Sequence, residues 1–379
     1  MILFGVGILG FVLLIAWECY AFFIKFAKTL GLDVKKRTVR LFSVLTGIVL
    51  LVLSSVLCTG GIVWWIYMLI AAFIVDILYI FIKKCVGKKE CSVGWIEKIH
   101  GFGIVPILAA SILVGFGYYN MMHVVETEYV VTTEKTLNNQ GSGQYRVALL
   151  ADWHYGVAGG MNEVTSVCER VSEKKPDVII LCGDLVDENT TKGEMEELFQ
   201  QIGNMKSKYG IFYVYGNHDR QRYKENPAFS EMELADNITS AGITILQDEI
   251  VSVTDHFTLV GREDVSYRGR QGRKSLKELF SEVDKNDFLM VLDHQPTDYS
   301  ENLENGTDLL LSGHTHGGQL WPGNLIFEWF HINDAVYGKT TWNDNALQAI
   351  VSSGVAGWQF HIKNCAPAEY VIIDIKEQE

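Results

Sequence analysis

The sequence predicts two parts of different physical class, an N-terminal region of four transmembrane helices followed by an α/β domain. Three observations lead there. Four apolar runs, residues 2–24, 41–59, 62–82 and 101–122, each approach the roughly twenty residues a helix needs to cross a hydrocarbon core. Beyond residue 144, short apolar runs at 147–151, 178–182, 211–215, 288–292 and 309–311 alternate with polar, helix-forming stretches such as 162–175 and 193–207. This is the βαβ pattern of an α/β domain. Charge divides at the same place: residues 1–123 hold eleven Lys or Arg against five Asp or Glu, a net of +6, which leaves −19 of the total −13 for residues 124–379.

The expected organisation is therefore transmembrane helices in 1–123, a polar linker in 124–144 and an α/β domain in 145–379. The first apolar run lacks a basic residue ahead of it and does not read as a signal peptide. The loop after that run carries Lys25, Lys28, Lys35, Lys36, Arg37 and Arg40, and the loop after the third carries Lys83, Lys84, Lys88, Lys89 and Lys98. Basic loops stay cytoplasmic, which predicts an extracytoplasmic catalytic domain on a multi-pass protein of the cell membrane. Glu18 and Asp76 fall inside apolar runs, where interhelical or interfacial pairing with lysines such as Lys25 and Lys83 is the expected role.

An acidic second half argues against nucleic acid as a partner, because binding to a phosphate backbone depends on Lys and Arg. The seven cysteines show no CxxC pair and no zinc-ribbon spacing, so no disulfide framework is read. In open α/β sheets ligands sit beyond the carboxyl ends of the strands. Five motifs fall at such ends: Asp152-Trp153-His154, Gly183-Asp184, Gly216-Asn217-His218-Asp219, Asp293-His294-Gln295-Pro296 and Gly313-His314-Thr315-His316-Gly317-Gly318-Gln319. Asp152 and His154 are alternate residues and share a face. One carboxylate such as Asp184 has two oxygens with which to bridge two cations. Asn217 offers a neutral oxygen, His218 is free to face a substrate, and Asp219 is expected to orient its imidazole. With His294, His314 and His316 the set is mixed N/O, which suits Mn, Fe or Zn better than Mg or Ca.

In that order the five motifs resemble the signature of the calcineurin-like metallophosphoesterase superfamily, and the GHTHGGQ form of the last resembles its membrane-associated YkuE/YaeI-like branch. The resemblance implies a four-layer α/β/β/α sandwich and two divalent metal ions. It places Asp152, His154, Asp184 and His316 on one ion, and Asp184, Asn217, His294 and His314 on the other. His218 would contact the phosphate and the leaving group. The implied activity is hydrolysis of a phosphate ester or pyrophosphate by metal-activated water.

Residues outside the motifs bear on the substrate. Arg262, Arg268, Arg270, Arg273 and Lys274 form a local basic cluster in an acidic domain, and Arg262 and Arg268 are candidates to meet an anionic head group. The aromatic segment holding Trp321, Phe327, Trp329 and Phe330 is read as packing under the site, or as a surface that meets the bilayer. A tethered domain favours membrane-proximal substrates, so a lipid-linked or envelope phosphate is the expected substrate. Three alternatives remain at this stage: a general extracytoplasmic phosphodiesterase or nucleotidase, a transporter or sensor regulated by the second domain, and a metal-free scaffold.

Overall fold

The computed structural model describes residues 17–378, except 58–59, 87–93, 138–142, 157–158, 269–271 and 344–345. The chain divides into two compact units, Met1–Gly117 and Tyr118–Glu379.

In the first unit residues 17–29 are helical, followed by α1 (Arg37–Leu57), α2 (Gly61–Val86) and α3 (Gly94–Gly101), and α4 (Ile104–Met121) runs into the second unit. Among the described residues three stretches are long and apolar enough to cross a membrane: Arg37–Ser54, Gly61–Cys85 and Ile104–Met121. The expected count was four. Most of the expected first span, 2–24, lies outside the described residues, so three is the number this structure supports. Asp76, in the middle of α2, accepts a hydrogen bond from Lys25 Nζ at 2.5 Å and lies 2.7 Å from His100 Nε2. A carboxylate in an apolar helix is thereby paired rather than isolated, as its cost in that setting requires.

The second unit begins with β1 (Val125–Thr133), inside the stretch expected to be a linker. Val131 and Thr133 of β1 are buried while Val130 and Thr132 are exposed, one-sided burial that suits an edge strand, and β1 pairs in parallel with the last strand, β12 (Glu369–Glu377). The turn-forming composition that suggested a linker belongs only to residues 136–144. Then come β2 (Gln144–Leu150), α5 (Met161–Glu173), β3 (Val178–Cys182), α6 (Lys192–Gly203), β4 (Ile211–Val214), α7 (Glu231–Ser240) and β5 (Ile243–Ile245). These strands form one mixed sheet in the order β1-β12-β2-β3-β4-β5. The second sheet uses β6 (Glu249–Thr254), β7 (Phe257–Gly261), β8 (Phe288–Leu292), β9 (Leu309–Ser312), β10 (Gly338–Trp342) and β11 (Leu347–Val351), in the order β10-β11-β9-β8-β7-β6.

Side-chain alternation builds the layers. Val147, Leu149, Val178, Ile180, Phe212 and Val214 of the first sheet meet Phe288, Met290, Leu292, Leu309 and Leu311 of the second in one buried core. The intervening Ala148, Leu150, Ile179, Leu181 and Tyr213 point the other way and pack under α5, α6 and α7. Leu289, Val291 and Leu310 of the second sheet do the same beneath short helices that include Leu276 and Leu279. Strands buried on both faces explain why these runs are continuously apolar. The result is the four-layer α/β/β/α sandwich. β2, β3 and β4 are mutually parallel, as are β8 and β9, so in each sheet these strands end at one edge.

Ile180 is fully buried between the sheets. Ile180→Ala should cost about 2–5 kcal/mol and lower the thermal transition of the detergent-solubilised chain by several degrees, whereas an unchanged transition would contradict close packing there.

Candidate metal centre

All five motifs lie just past strand ends: Asp152 and His154 after β2, Asp184 after β3, Asn217 after β4, His294 after β8, and His314 and His316 after β9. Five of these seven residues, Asp152, His154, Asp184, His314 and His316, have positive φ, between 44° and 71°. Left-handed backbone is costly for a residue with a Cβ, and it persists only where the surroundings over-determine it. Here they do. Asp152 N–H donates to Gly183 O and His154 N–H to Asp184 O, each at 3.0 Å. His314 N–H donates to the Asp152 carboxylate at 2.9 Å. Two glycines permit the close approach: a Cβ on Gly183 would stand 2.6 Å from His294 Nδ1, and one on Gly216 would stand 2.2 Å from Asp184 Oδ1.

The ligand atoms gather in two groups, Asp152, His154 and His316 in one and Asp184, His294 and His314 in the other, with the atoms of each within 4.8 Å of one another. Asp184 lies between them. Its Oδ2 is 3.1 Å from His294 Nε2 and 3.8 Å from His154 Nε2, while its Oδ1 accepts the His218 N–H at 2.8 Å. Asn217 Oδ1 is 2.9 Å from His314 Nδ1. His294 Nδ1 lies 2.7 Å from Cys182 O and His316 Nδ1 lies 3.2 Å from Ala356 O. A carbonyl can only accept, so these nitrogens carry the proton in a neutral ring, and each Nε2 is left to ligate. The Nε2 atoms of His154 and His294 are buried without a hydrogen-bond partner among the described residues. Buried polar atoms are rarely left so, and divalent cations at the two groups fit them.

The electrostatics agree. Burial, with the Asp184 charge adding to it, pushes the Asp152 carboxyl up to about 6. Burial acts the same way on Asp184, but His294 and His154 outweigh it and hold that carboxyl below its ordinary range. Burial opposes charge on His294 too, yet the Asp184 carboxylate lifts its pKa well above normal. Burial lowers His314 to about 3 and also depresses His316.

Asp219 does not orient His218, contrary to the sequence expectation. Its buried carboxylate accepts the N–H groups of Asp184 at 2.9 Å, Leu185 at 2.9 Å and Gly216 at 2.6 Å, and so ties the β3 and β4 loops together. The partner of His218 is Glu188, whose Oε2 lies 2.8 Å from Nδ1. Burial works against a charged His218, but the Glu188 hydrogen bond and the Asp184 charge raise its pKa. Asp187, whose Oδ2 is 3.4 Å from His154 Nδ1, was likewise missed. Both follow Asp184 within one turn of loop, and that proximity was the available signal. Lys363 gave none: it is fully buried, bonded to the carbonyls of Ser353, Gly354 and Ala356, and drawn down to about 7 by burial.

The expected anion contacts fare differently. Arg262 is 2% exposed; its Nη2 donates to Lys274 O, and Asp248 lies 3.6 Å from its Nε. Arg273 is buried between Asp293 and Asp298, at 2.9 Å from each. These guanidinium groups balance internal carboxylates instead of facing a ligand. Arg268 ends the short helix Val265–Arg268, and its side chain and all of Arg270 lie outside the described residues. What does surround His218 is aromatic, with the Trp358 ring 5.0 Å and the Tyr223 ring 5.3 Å from its own.

The model of the calcineurin-like phosphoesterase family matches residues 145–318, which contain all seven candidate ligands. This part of the chain is a calcineurin-like metallophosphoesterase domain. Its relatives include a metallophosphoesterase of Helicobacter pylori strain J99, 31% identical over 228 residues, which are 60% of this chain and 58% of that protein. The metallophosphoesterase YkuE of Bacillus subtilis is 25% identical over 300 residues, 72% of this chain and 95% of YkuE. A zebrafish transmembrane protein with a metallophosphoesterase domain is 26% identical over 279 residues, 68% of this chain and 61% of its own. The chain thus spans only about six tenths of the Helicobacter and zebrafish relatives. Among the described residues of this chain, three helices are long and apolar enough to cross a membrane.

Ligands must be deprotonated to bind metal. The protons on His294 at neutral pH, and on Asp152 below about 6, must leave as cations enter. Titration of Mn into metal-free protein should therefore release protons. Apparent affinity should fall about tenfold per pH unit and more steeply below pH 6, and a pH-independent affinity would contradict this charge balance.

Proposed function

We propose that this protein is a membrane-anchored, binuclear metal-dependent phosphoesterase that hydrolyses a phosphate ester or pyrophosphate. The observation that carries the reading is the pair of three-residue ligand groups with the Asp184 carboxylate between them. Two divalent cations, Mn, Fe or Zn by donor type, would supply Lewis acidity: they activate water as a nucleophile and offset charge on the phosphoryl oxygens.

The chain's own residues do the rest. Asp152, His154, Asp184 and His316 would hold one ion, and Asp184, Asn217, His294 and His314 the other. His218, whose pKa the Glu188 hydrogen bond raises and whose side chain is partly open to solvent, would donate a proton or hydrogen bond to the departing oxygen. Glu188 fixes which nitrogen of that ring points at the substrate. Asp219 acts at one remove, by holding the amides of the β3 and β4 loops.

The favoured substrate is a lipid-linked or envelope phosphate, on the argument that anchoring raises the effective concentration of membrane-borne esters. The basic loops at residues 25–40 and 83–98 favour an extracytoplasmic phosphoesterase domain. No nucleic-acid partner is expected of so acidic a domain.

Mn-dependent hydrolysis of bis-p-nitrophenyl phosphate by the full-length protein is the direct assay. Asp184→Ala combined with His218→Ala should abolish it, and equal rates in variant and wild type would remove the reading. Glu188→Gln should lower kcat about 10- to 100-fold, with a larger loss for alkyl than for p-nitrophenyl leaving groups because only the poor leaving group needs His218. A uniform loss across leaving groups would contradict the role given to Glu188.

A further inference from the structure

Residues 320–332, which begin one residue after Gln319, contain Trp321, Leu325, Ile326, Phe327, Trp329, Phe330 and Ile332 against the single formal charge of Glu328. The short helix Gly323–Trp329 within them has no buried residue. Trp329 is 74% and Phe330 73% exposed, so of the two readings the sequence allowed, packing under the site or a surface that meets the bilayer, the first does not hold for these residues. Side chains of this size, side by side in water, mark a surface that another apolar phase covers.

The hydrogen bonds of the second unit indicate which phase. Gln319 accepts the Trp358 N–H and donates to the carbonyls of Trp358, Phe360 and Ile362, and Asn364 Oδ1 accepts the Trp321 N–H at 2.8 Å. The aromatic segment is thus laced to the loop at 356–366, the loop whose Trp358 stands over His218 and whose Ala356 O faces His316. That loop is also tied to the last turn of α4: Asn120 Nδ2 donates to Lys363 O and to Ala366 O, each at 2.8 Å. α4 is one of the three helices apolar enough to cross a bilayer, and Asn120 marks where the chain leaves it. The exposed aromatics are therefore joined, through one loop, to the last turn of a helix apolar enough to cross a bilayer. Tryptophan and its aromatic neighbours favour the lipid–water interface because they present an apolar body and a polar edge.

We propose that residues 320–332 insert into the interface of the bilayer that α4 enters, and that this seats the mouth of the metal centre at the membrane surface, where phosphorylated lipid head groups are presented. The docking itself is independent of catalysis. Only the substrate class rests on the phosphoesterase reading.

The test uses the full-length protein in phosphatidylethanolamine/phosphatidylglycerol nanodiscs, with the photoreactive p-benzoylphenylalanine at position 330 or, as control, at the exposed Met232 of α7. Lipid adducts at 330 and not at 232 are expected by mass spectrometry. No adduct at 330, equal adducts at both positions, or crosslinks from 330 to a second copy of the chain would overturn the docking. A second arm compares wild type with the Trp329→Ser, Phe330→Ser double variant on soluble bis-p-nitrophenyl phosphate and on phosphatidyl-p-nitrophenol in vesicles of the same lipids. The vesicle rate should fall about fivefold or more while the soluble rate stays within about twofold. Parallel loss on both substrates, or no loss on vesicles, would sink the presentation of lipid head groups. Wild-type inactivity on both would count against the phosphoesterase reading and leave the crosslinking result to decide the docking.

Discussion

A carboxylate buried at the meeting of two sheets sets the terms for the rest of the domain. Asp184 is 1% exposed; its Oδ1 accepts the His218 amide, while its Oδ2 faces the imidazoles of His294 at 3.1 Å and His154 at 3.8 Å without a hydrogen bond to either. A charge so placed must be compensated locally, because the low-dielectric interior multiplies the cost of leaving it alone. Glycine at 183 and 216 lets the loops come close enough to do so, and Asp219 pins both loops by their amides. The left-handed backbone at five of the seven candidate ligands is a further cost of the same convergence. None of these features stabilises the fold by itself. They make sense together as a preorganised cradle for cations, with the four packed layers supplying the rigidity.

That rigidity comes from two six-stranded sheets sharing one core. Parallel strands buried on both faces leave only their carboxyl ends available for chemistry, which is where every candidate ligand lies. The ligands come from five different strands, so small shifts between the sheets would change distances between the two groups. Close packing opposes such shifts.

The strands and ligands were legible in the sequence for a simple reason. A buried parallel strand must be continuously apolar, so the ligand motifs stood out as polar residues directly after such runs. Second contacts were not legible, because they depend on how loops fold back. Asp219 adjoins His218 in sequence but turns to the backbone, and Glu188, thirty residues earlier, reaches the imidazole instead. Arg262 appeared as a surface cation in a basic cluster, whereas its neighbours Asp248 and Glu301 come from other elements and bury it. β1 was hidden in an apparent linker because an edge strand with one face partly open to water shows only half the apolar pattern of a central one. The break between α3 and α4 at residues 102–103 was likewise hidden inside one continuous apolar run.

The central claim is that two cations sit side by side at these strand ends and share Asp184. Anomalous X-ray diffraction from Mn-loaded crystals of the protein tests it most directly. Two peaks about 3.5–4 Å apart are expected, one among Asp152, His154 and His316 and the other among Asn217, His294 and His314, with the Asp184 carboxylate between them. A single peak at full loading, or peaks away from these side chains, would contradict it.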